Sequence, residues 1–321
     1  MSDWSAFHLY YHEDRDLLLR SAVQPLVDEL LLEGQIERFF FIRYSLGGPH
    51  IRLRMEHASD AESSQVKLKH CVSDHMSRFF AEHPSQESMD PSTIEAQNKA
   101  ILETDPNETD ATVHADGSWI SAPFRPETTR YGGAEYLPAS FDFFMVSSRA
   151  ALLHTEQTAG MPSSKKLIQC LAKLIHQAWG GAEDAEHFAN LLRYAVEGWG
   201  APMNRILQKA DAVFESRPTA WVALVYRELQ QAAEGGHGSI EEVSAAGLLS
   251  QGAKVYRGQI ATLEPERRFH VTLSQMHMTA VRLGLVNAEE VYLSRLMTRC
   301  VEALQGEELW SKIESNLAST R

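Results

Sequence analysis

The chain has 321 residues, 44% of them hydrophobic, and a formal net charge of −13 from 30 Lys and Arg against 43 Asp and Glu. That length buries a sizeable core in one large or two ordinary domains. The acidity excludes extensive contact with phosphate backbones, because nucleic-acid binders present a basic face or stripe.

No apolar run nears the roughly 20 residues of a membrane span, and Met1-Ser2-Asp3-Trp4 has neither the basic end nor the apolar run of a secretory signal. A cytoplasmic protein with no membrane span and no direct nucleic-acid partner is expected. Cys71, Cys170 and Cys300 are an odd number without metal-ligand spacing, which reads as reduced structural thiols and no metal site.

Residues 5 to 13 read as an aromatic-rich strand. Residues 14 to 34 place Leu17, Leu18, Val23, Leu26, Val27, Leu30 and Leu31 at near-helical spacing, with Gly34 as the stop. Two β-rich runs, 37 to 44 and 50 to 56, flank Ser45-Leu46-Gly47-Gly48-Pro49 and predict a hairpin. Period two puts His50, Arg52 and Arg54 on one face of the second strand, with Ile51, Leu53 and Met55 towards the core.

A helix is predicted over 64 to 82. Residues 83 to 117 hold three prolines, eight acidic residues and a single lysine, Lys99, with one helical patch from Thr93 to Leu102. They read as a surface excursion or a lid. Trp119 to Arg125 is extended again, and Tyr131-Gly132-Gly133 marks a sharp turn. Beyond residue 138 helical periodicity dominates, over 140 to 155, 164 to 179, 184 to 198, 202 to 214, 217 to 233, 238 to 264, 267 to 285, 287 to 304 and 306 to 317. The fold class expected is α+β: a mixed β-sheet with flanking helices over 1 to 137, then a helix-rich part over 138 to 321.

Chemistry concentrates in two cassettes. One runs from Phe39-Phe40-Phe41-Ile42-Arg43-Tyr44 to His50-Ile51-Arg52-Leu53-Arg54; the other is Arg125-Pro126-Glu127-Thr128-Thr129-Arg130-Tyr131-Gly132-Gly133. They set five arginines and one glutamate among aromatic and apolar residues. A guanidinium keeps its charge at physiological pH and offers a fixed fork of donors, so a local basic pocket in an acidic protein suits a small anionic group such as a carboxylate. Taken alone, Arg52 and Arg54 also fit a solvated sheet face, and Glu127 with Arg130 an ion pair at a turn.

The order Phe-Phe-Ile-Arg-Tyr, Gly-Pro-His-Ile-Arg-Leu-Arg, then Pro-Glu-x-x-Arg-Tyr-Gly-Gly resembles the C-terminal, glutamate-elimination domain of lantibiotic dehydratases, also found as the stand-alone thiopeptide-type bacteriocin biosynthesis protein. The resemblance runs from about Trp4 to Leu317 and implies a single domain of that type over 1 to 321. It implies that glutamate is expelled from glutamylated Ser or Thr of a ribosomally made precursor peptide with a leader, leaving dehydroalanine or dehydrobutyrine. The implied catalytic residues are Arg52, Arg54, Glu127, Arg130 and His277. His277 lies in Ser274-Gln275-Met276-His277-Met278-Thr279-Ala280-Val281-Arg282-Leu283, where the family pattern has asparagine in place of Val281. Without the resemblance, a lone histidine among Met276, Met278, Val281 and Leu283 reads as structural. Arg43, Tyr44, His50, Tyr131 and Ser274 are the expected substrate-binding residues, His277 is expected to join the same cleft, and no metal or other cofactor is implied.

Glutamylation draws on glutamyl-tRNA, which an acidic chain without the large N-terminal region is not suited to hold. A separate tRNA-dependent glutamylating protein is therefore an expected partner, and the helical surfaces of the C-terminal half could support a homodimer. Two alternatives stay open. On the same fold, the thiopeptide pyridine synthase joins two dehydroalanines by a formal [4+2] cycloaddition with release of the leader. A noncatalytic subunit would instead bind the leader and tether other enzymes.

Overall fold

The computed structural model describes residues 4–58, 62–104, 110–198, 201–234, 244–305, 311 and 315. The chain divides into two compact units, Met1–Pro126 and Glu127–Arg321. The expected helix over 306 to 317 falls almost wholly outside the described residues.

In the first unit β1 (Trp4–Tyr10) leads to α1 (Arg15–Leu18), a π-helical turn (Leu19–Val23) and α2 (Gln24–Leu32). Asp14 starts α1 by accepting from the Asp16 N–H at 2.9 Å, and Gly34 ends α2 with φ +63°, a value that favours glycine. The hairpin is β2 (Ile36–Tyr44) and β3 (His50–His57). Then come α3 (Glu62–Glu82), α4 (Pro91–Thr104) and β4 (Ser118–Ala122).

Among the described residues the sheet order is β2-β3-β1-β4, and each neighbouring pair is antiparallel. The α+β class holds, but the sheet is not mixed. The α1–α2 crossover does make β1 and β2 run the same way, yet β3 enters between them and opposes both. Phe7, Leu9, Phe39, Phe41, Ile51, Leu53 and Met55 are buried on one sheet face, and Leu18, Leu19, Val23, Leu26 and Leu30 of the helical crossover are buried as part of the same unit's core.

The acidic excursion is docked on the hairpin. Pro91 opens α4 behind Asp90, whose carboxylate accepts from the Ser92 N–H at 3.0 Å. Ile94 is buried, and the buried Asn98 side chain accepts from the Gly47 N–H at 2.8 Å while donating to the Ala111 carbonyl at 2.9 Å. The His114 N–H donates to the Gly47 carbonyl at 3.0 Å. Gly47 has φ +84°, and a Cβ there would run into the Thr112 carbonyl oxygen.

The second unit comprises α5 (Leu137–Gln157), α6 (Ser163–Gly181), α7 (Ala185–Glu197), α8 (Asn204–Ser216), α9 (Pro218–Ala233), α10 (Ala245–Gln259), α11 (Pro265–Leu283) and α12 (Asn287–Leu304). None of the helices of the described residues is long and apolar enough to cross a membrane. Prolines at the first turns of α5, α9 and α11, and side-chain caps from Asp184 on α7 and Ser244 on α10, set their starts.

Helix α6 packs closely on α10 at glycines. A Cβ on Gly180 would overlap the Ser250 carbonyl oxygen, and one on Gly252 would stand 2.6 Å from Val146 Cγ1 of α5. Alanine gains about 1 kcal/mol of helix propensity over glycine, whereas overpacking costs about 1–3 kcal/mol, and a carbonyl cannot rotate aside as a side chain can. Gly180→Ala should therefore lower the melting temperature, by roughly 2–4 °C per kcal/mol of net loss in a domain of this size. A calorimetric scan showing an unchanged or raised melting temperature would contradict this packing argument.

Candidate active site

On the sheet face opposite the core, antiparallel pairing aligns Tyr44, His50 and Tyr10, then Ile42, Arg52 and His8, then Phe40, Arg54 and Ala6. Arg52 and Arg54 thus lie together as the period-two pattern requires, their Cα atoms about 7 Å apart along the strand. A single carboxylate or oxyanion can bridge that spacing.

The surroundings hold each guanidinium in place. The Arg52 Nε–H donates to His50 Nε2 at 3.2 Å, and its Cζ sits 3.8 Å from the Tyr44 ring centroid. His50 is fully buried and donates from Nδ1 to the Gly48 carbonyl at 2.8 Å, so its other nitrogen is the acceptor that Arg52 needs. Arg54 lies over Phe40 and Phe124, its Cζ 5.5 and 5.4 Å from their centroids, and donates to the Arg52 carbonyl at 3.3 Å. Tyr44 and His50, expected to touch substrate, both lie against Arg52.

Arg43 is not brought to this group. Next to Tyr44 on the strand it points to the helix side, where it forms an ion pair with Asp16 at 2.6 Å. At the far end of the arginine face, Arg38 binds the buried Glu56 through two nitrogens, one of them at 2.9 Å. That pairing offsets the carboxylate two residues from Arg54.

Aromatic rings line the face. His8 stacks on His50 at 4.9 Å, Tyr10 lies 4.7 Å from His50, and His114 stacks on Tyr10 at 4.6 Å. Burial, then the charges of Arg52 and Arg54, push the His8 pKa down from 6.5 to about 3. Burial holds His50 well below the usual range and raises Tyr10 to about 12. The guanidiniums therefore supply the charge at neutral pH, beside imidazoles that do not compete with them.

The His8 shift has a sign. Below pH 6.5 the unfolded chain takes up a proton that the folded chain refuses until about pH 3, so stability falls as pH drops through that window. Between about pH 7 and about pH 5, urea denaturation should show a loss that His8→Asn reduces. An equal loss in the variant would mean that other groups cause it.

In the second unit, Arg130, Ser274 and His277 line one open pocket of about 410 Å³ with Leu174, Tyr194, Leu273 and Glu290. Ser274 and His277 share a face of α11, three residues apart, while Arg130 comes from the turn before α5. His277 Nδ1 is 2.8 Å from Glu290 Oε2. The imidazole side chain is 29% exposed and the carboxylate 8%, so the ring is the more open of the two.

Glu127 and Arg130 are paired at 3.1 Å, but at 54% and 36% exposure this is a surface pair of little energetic weight. Tyr131 is buried against Phe144 at 4.9 Å, and burial raises its hydroxyl pKa to about 12. Its ring packs the turn and is not among the residues that line the pocket. Arg282, also fully buried, stacks over Phe144 at 4.8 Å.

Two participants escaped the sequence reading. Glu290 lies on the next helix, with no spacing rule tying it to His277. His8 did have a signal, alternation on β1, but only the strand register places it opposite Arg52.

Residues 4–301 match the family model for the lantibiotic biosynthesis dehydratase C-terminal region. The chain belongs to this family. Among solved structures, the pyridine synthase TbtD from thiomuracin biosynthesis matches with a TM-score of 0.77 at 14% identity, over 94% of this chain and 99% of that one. TsrL gives 0.63 at 16% identity, over 98% and 99%. The tRNA-dependent lantibiotic dehydratase MibB from Microbispora sp. 107891 gives 0.60 at 18% identity, over 95% of this chain but 28% of that one. At these identities the likeness to solved structures is one of fold. No curated protein sequence matches this member of the lantibiotic dehydratase C-terminal family.

Proposed function

We propose that this family member is the glutamate-eliminating component of a split dehydratase. It acts on a precursor peptide whose Ser or Thr a separate tRNA-dependent protein has glutamylated. The observation that carries this reading is the pair Arg52 and Arg54 on one sheet face, with Arg52 aimed by His50 and Tyr44. An eliminase must hold a carboxylate and offset an enolate, and fixed guanidiniums do both without reorganising.

In the proposed reaction His277 takes the α-proton and the Cα–H electrons move into the carbonyl as an enolate. As these return, Cα=Cβ forms and the Cβ–O bond to the glutamyl ester breaks. Glutamate leaves as a carboxylate, a good leaving group because its acid has a pKa of about 4.3. Arg52 and Arg54 neutralise the enolate and the glutamyl carboxylate, and Glu127 pairs with Arg130. Proton, alkene and glutamate balance without a redox partner.

The second reading is a pyridine synthase, favoured by the full-length likeness to TbtD at a TM-score of 0.77. Mass spectrometry separates the two. Purified protein given a peptide bearing a glutamyl-serine ester should release glutamate and leave dehydroalanine. If the ester survives while a peptide with two dehydroalanines loses its leader and gains a pyridine chromophore, the synthase is correct. Inertness to both would point to a leader-binding scaffold.

A further inference from the structure

The buried carboxylate beside His277 bears on which imidazole nitrogen carries the proton. Glu290 lies in the first turn of α12, 6% exposed, where the helix N-terminus favours negative charge. A carboxylate oxygen offers an acceptor, so the contact of 2.8 Å pairs it with a proton on Nδ1. A neutral imidazole protonated there carries its lone pair on Nε2. One turn further along α11, Val281 offers the ring no hydrogen bond, so the carboxylate from α12 provides the orientation that an amide at that position could supply.

We propose that Glu290 is a positioning residue: it fixes His277 as the Nδ1–H tautomer and so makes Nε2 the nitrogen that accepts the substrate proton. The catalytic half of this statement rests on the proton-transfer role of His277 proposed above. The tautomeric half stands on geometry alone. As the proton arrives, Glu290 also faces the imidazolium, so one carboxylate serves both protonation states.

The test combines a spectrum with kinetics. In the full chain labelled with ¹⁵N-histidine, long-range ¹H–¹⁵N correlations identify the tautomer of each ring, and His277→Gln assigns the signal of interest. Wild type should show Nδ1–H on the high-pH plateau. Glu290→Gln keeps an acceptor and should keep both that tautomer and most of the rate. Glu290→Leu, of similar volume, should shift the proton to Nε2 and lower kcat for glutamate release by about 10²-fold or more, as the wrong tautomer does in the serine-protease triad. KM should stay within about twofold, because substrate binding does not depend on which nitrogen carries the proton.

Unchanged signals from the other histidines report an intact fold. A wild-type ring protonated on Nε2, or a Glu290→Leu variant that retains the Nδ1–H tautomer, would overturn the proposal. So would full activity in Glu290→Leu with the tautomer switched. If wild type releases no glutamate at all, the eliminase reading fails, and the spectrum still decides the tautomer.

Discussion

Arg52→Ala is expected to lower kcat for glutamate release by about 10²–10³-fold, the loss seen when one preorganised donor to a developing anion is removed. Arg52→Lys should recover little. The ammonium has no planar fork, cannot present two parallel donors while a third nitrogen engages His50, and does not stack on Tyr44 as a guanidinium does. Single-turnover mass spectrometry on the glutamylated peptide measures the step directly. If Arg52→Lys runs at the wild-type rate, then charge alone suffices and the orientation argument fails. His50→Ala should give a milder version of the same defect, since Arg52 loses an acceptor but keeps Tyr44.

The second large effect concerns stability. Glu56 is 1% exposed, and Arg38 reaches it from a side chain that is 23% exposed. Removing one partner of a buried ion pair costs about 3–5 kcal/mol, because the remaining charge stays desolvated. Arg38→Ala should fall near the lower end, since water already reaches the arginine. Replacing both partners with apolar groups of similar size is often nearly neutral. Arg38→Met with Glu56→Leu should therefore recover most of the loss, as read from urea unfolding midpoints. A double variant as unstable as Arg38→Ala alone would show that packing, and not the orphaned carboxylate, sets the cost. Arg38→Ala should also depress glutamate release, because Glu56 would then be available to pair with Arg54 on the same face.

What could be read from the sequence followed local periodicity. Alternation on β3 gave the shared face of Arg52 and Arg54, and helical spacing gave α5–α12 in outline. Arg43 shows the limit of grouping by nearness: adjacent residues on a strand face opposite ways, so Arg43 could not join Tyr44. The sheet was misjudged because the insertion of β3 between β1 and β2 is a long-range event that no window of residues records. Glu290 is a similar case, since its partner lies on another helix beyond a turn. His277, by contrast, needed the match of Ser274 to Leu283 to stand out from the apolar residues around it.

The clasp between Asn98 and the hairpin loop makes a single peptide group a witness to the whole excursion. The Gly47 N–H ends on the Asn98 side chain and not on a ladder of the sheet, so its exchange with solvent deuterium needs only that clasp to part, while the amides of β3 need the sheet itself to open. The ratio of those two exchange rates measures how tightly residues 83–104 and 110–117 are held against the strand that carries the arginines.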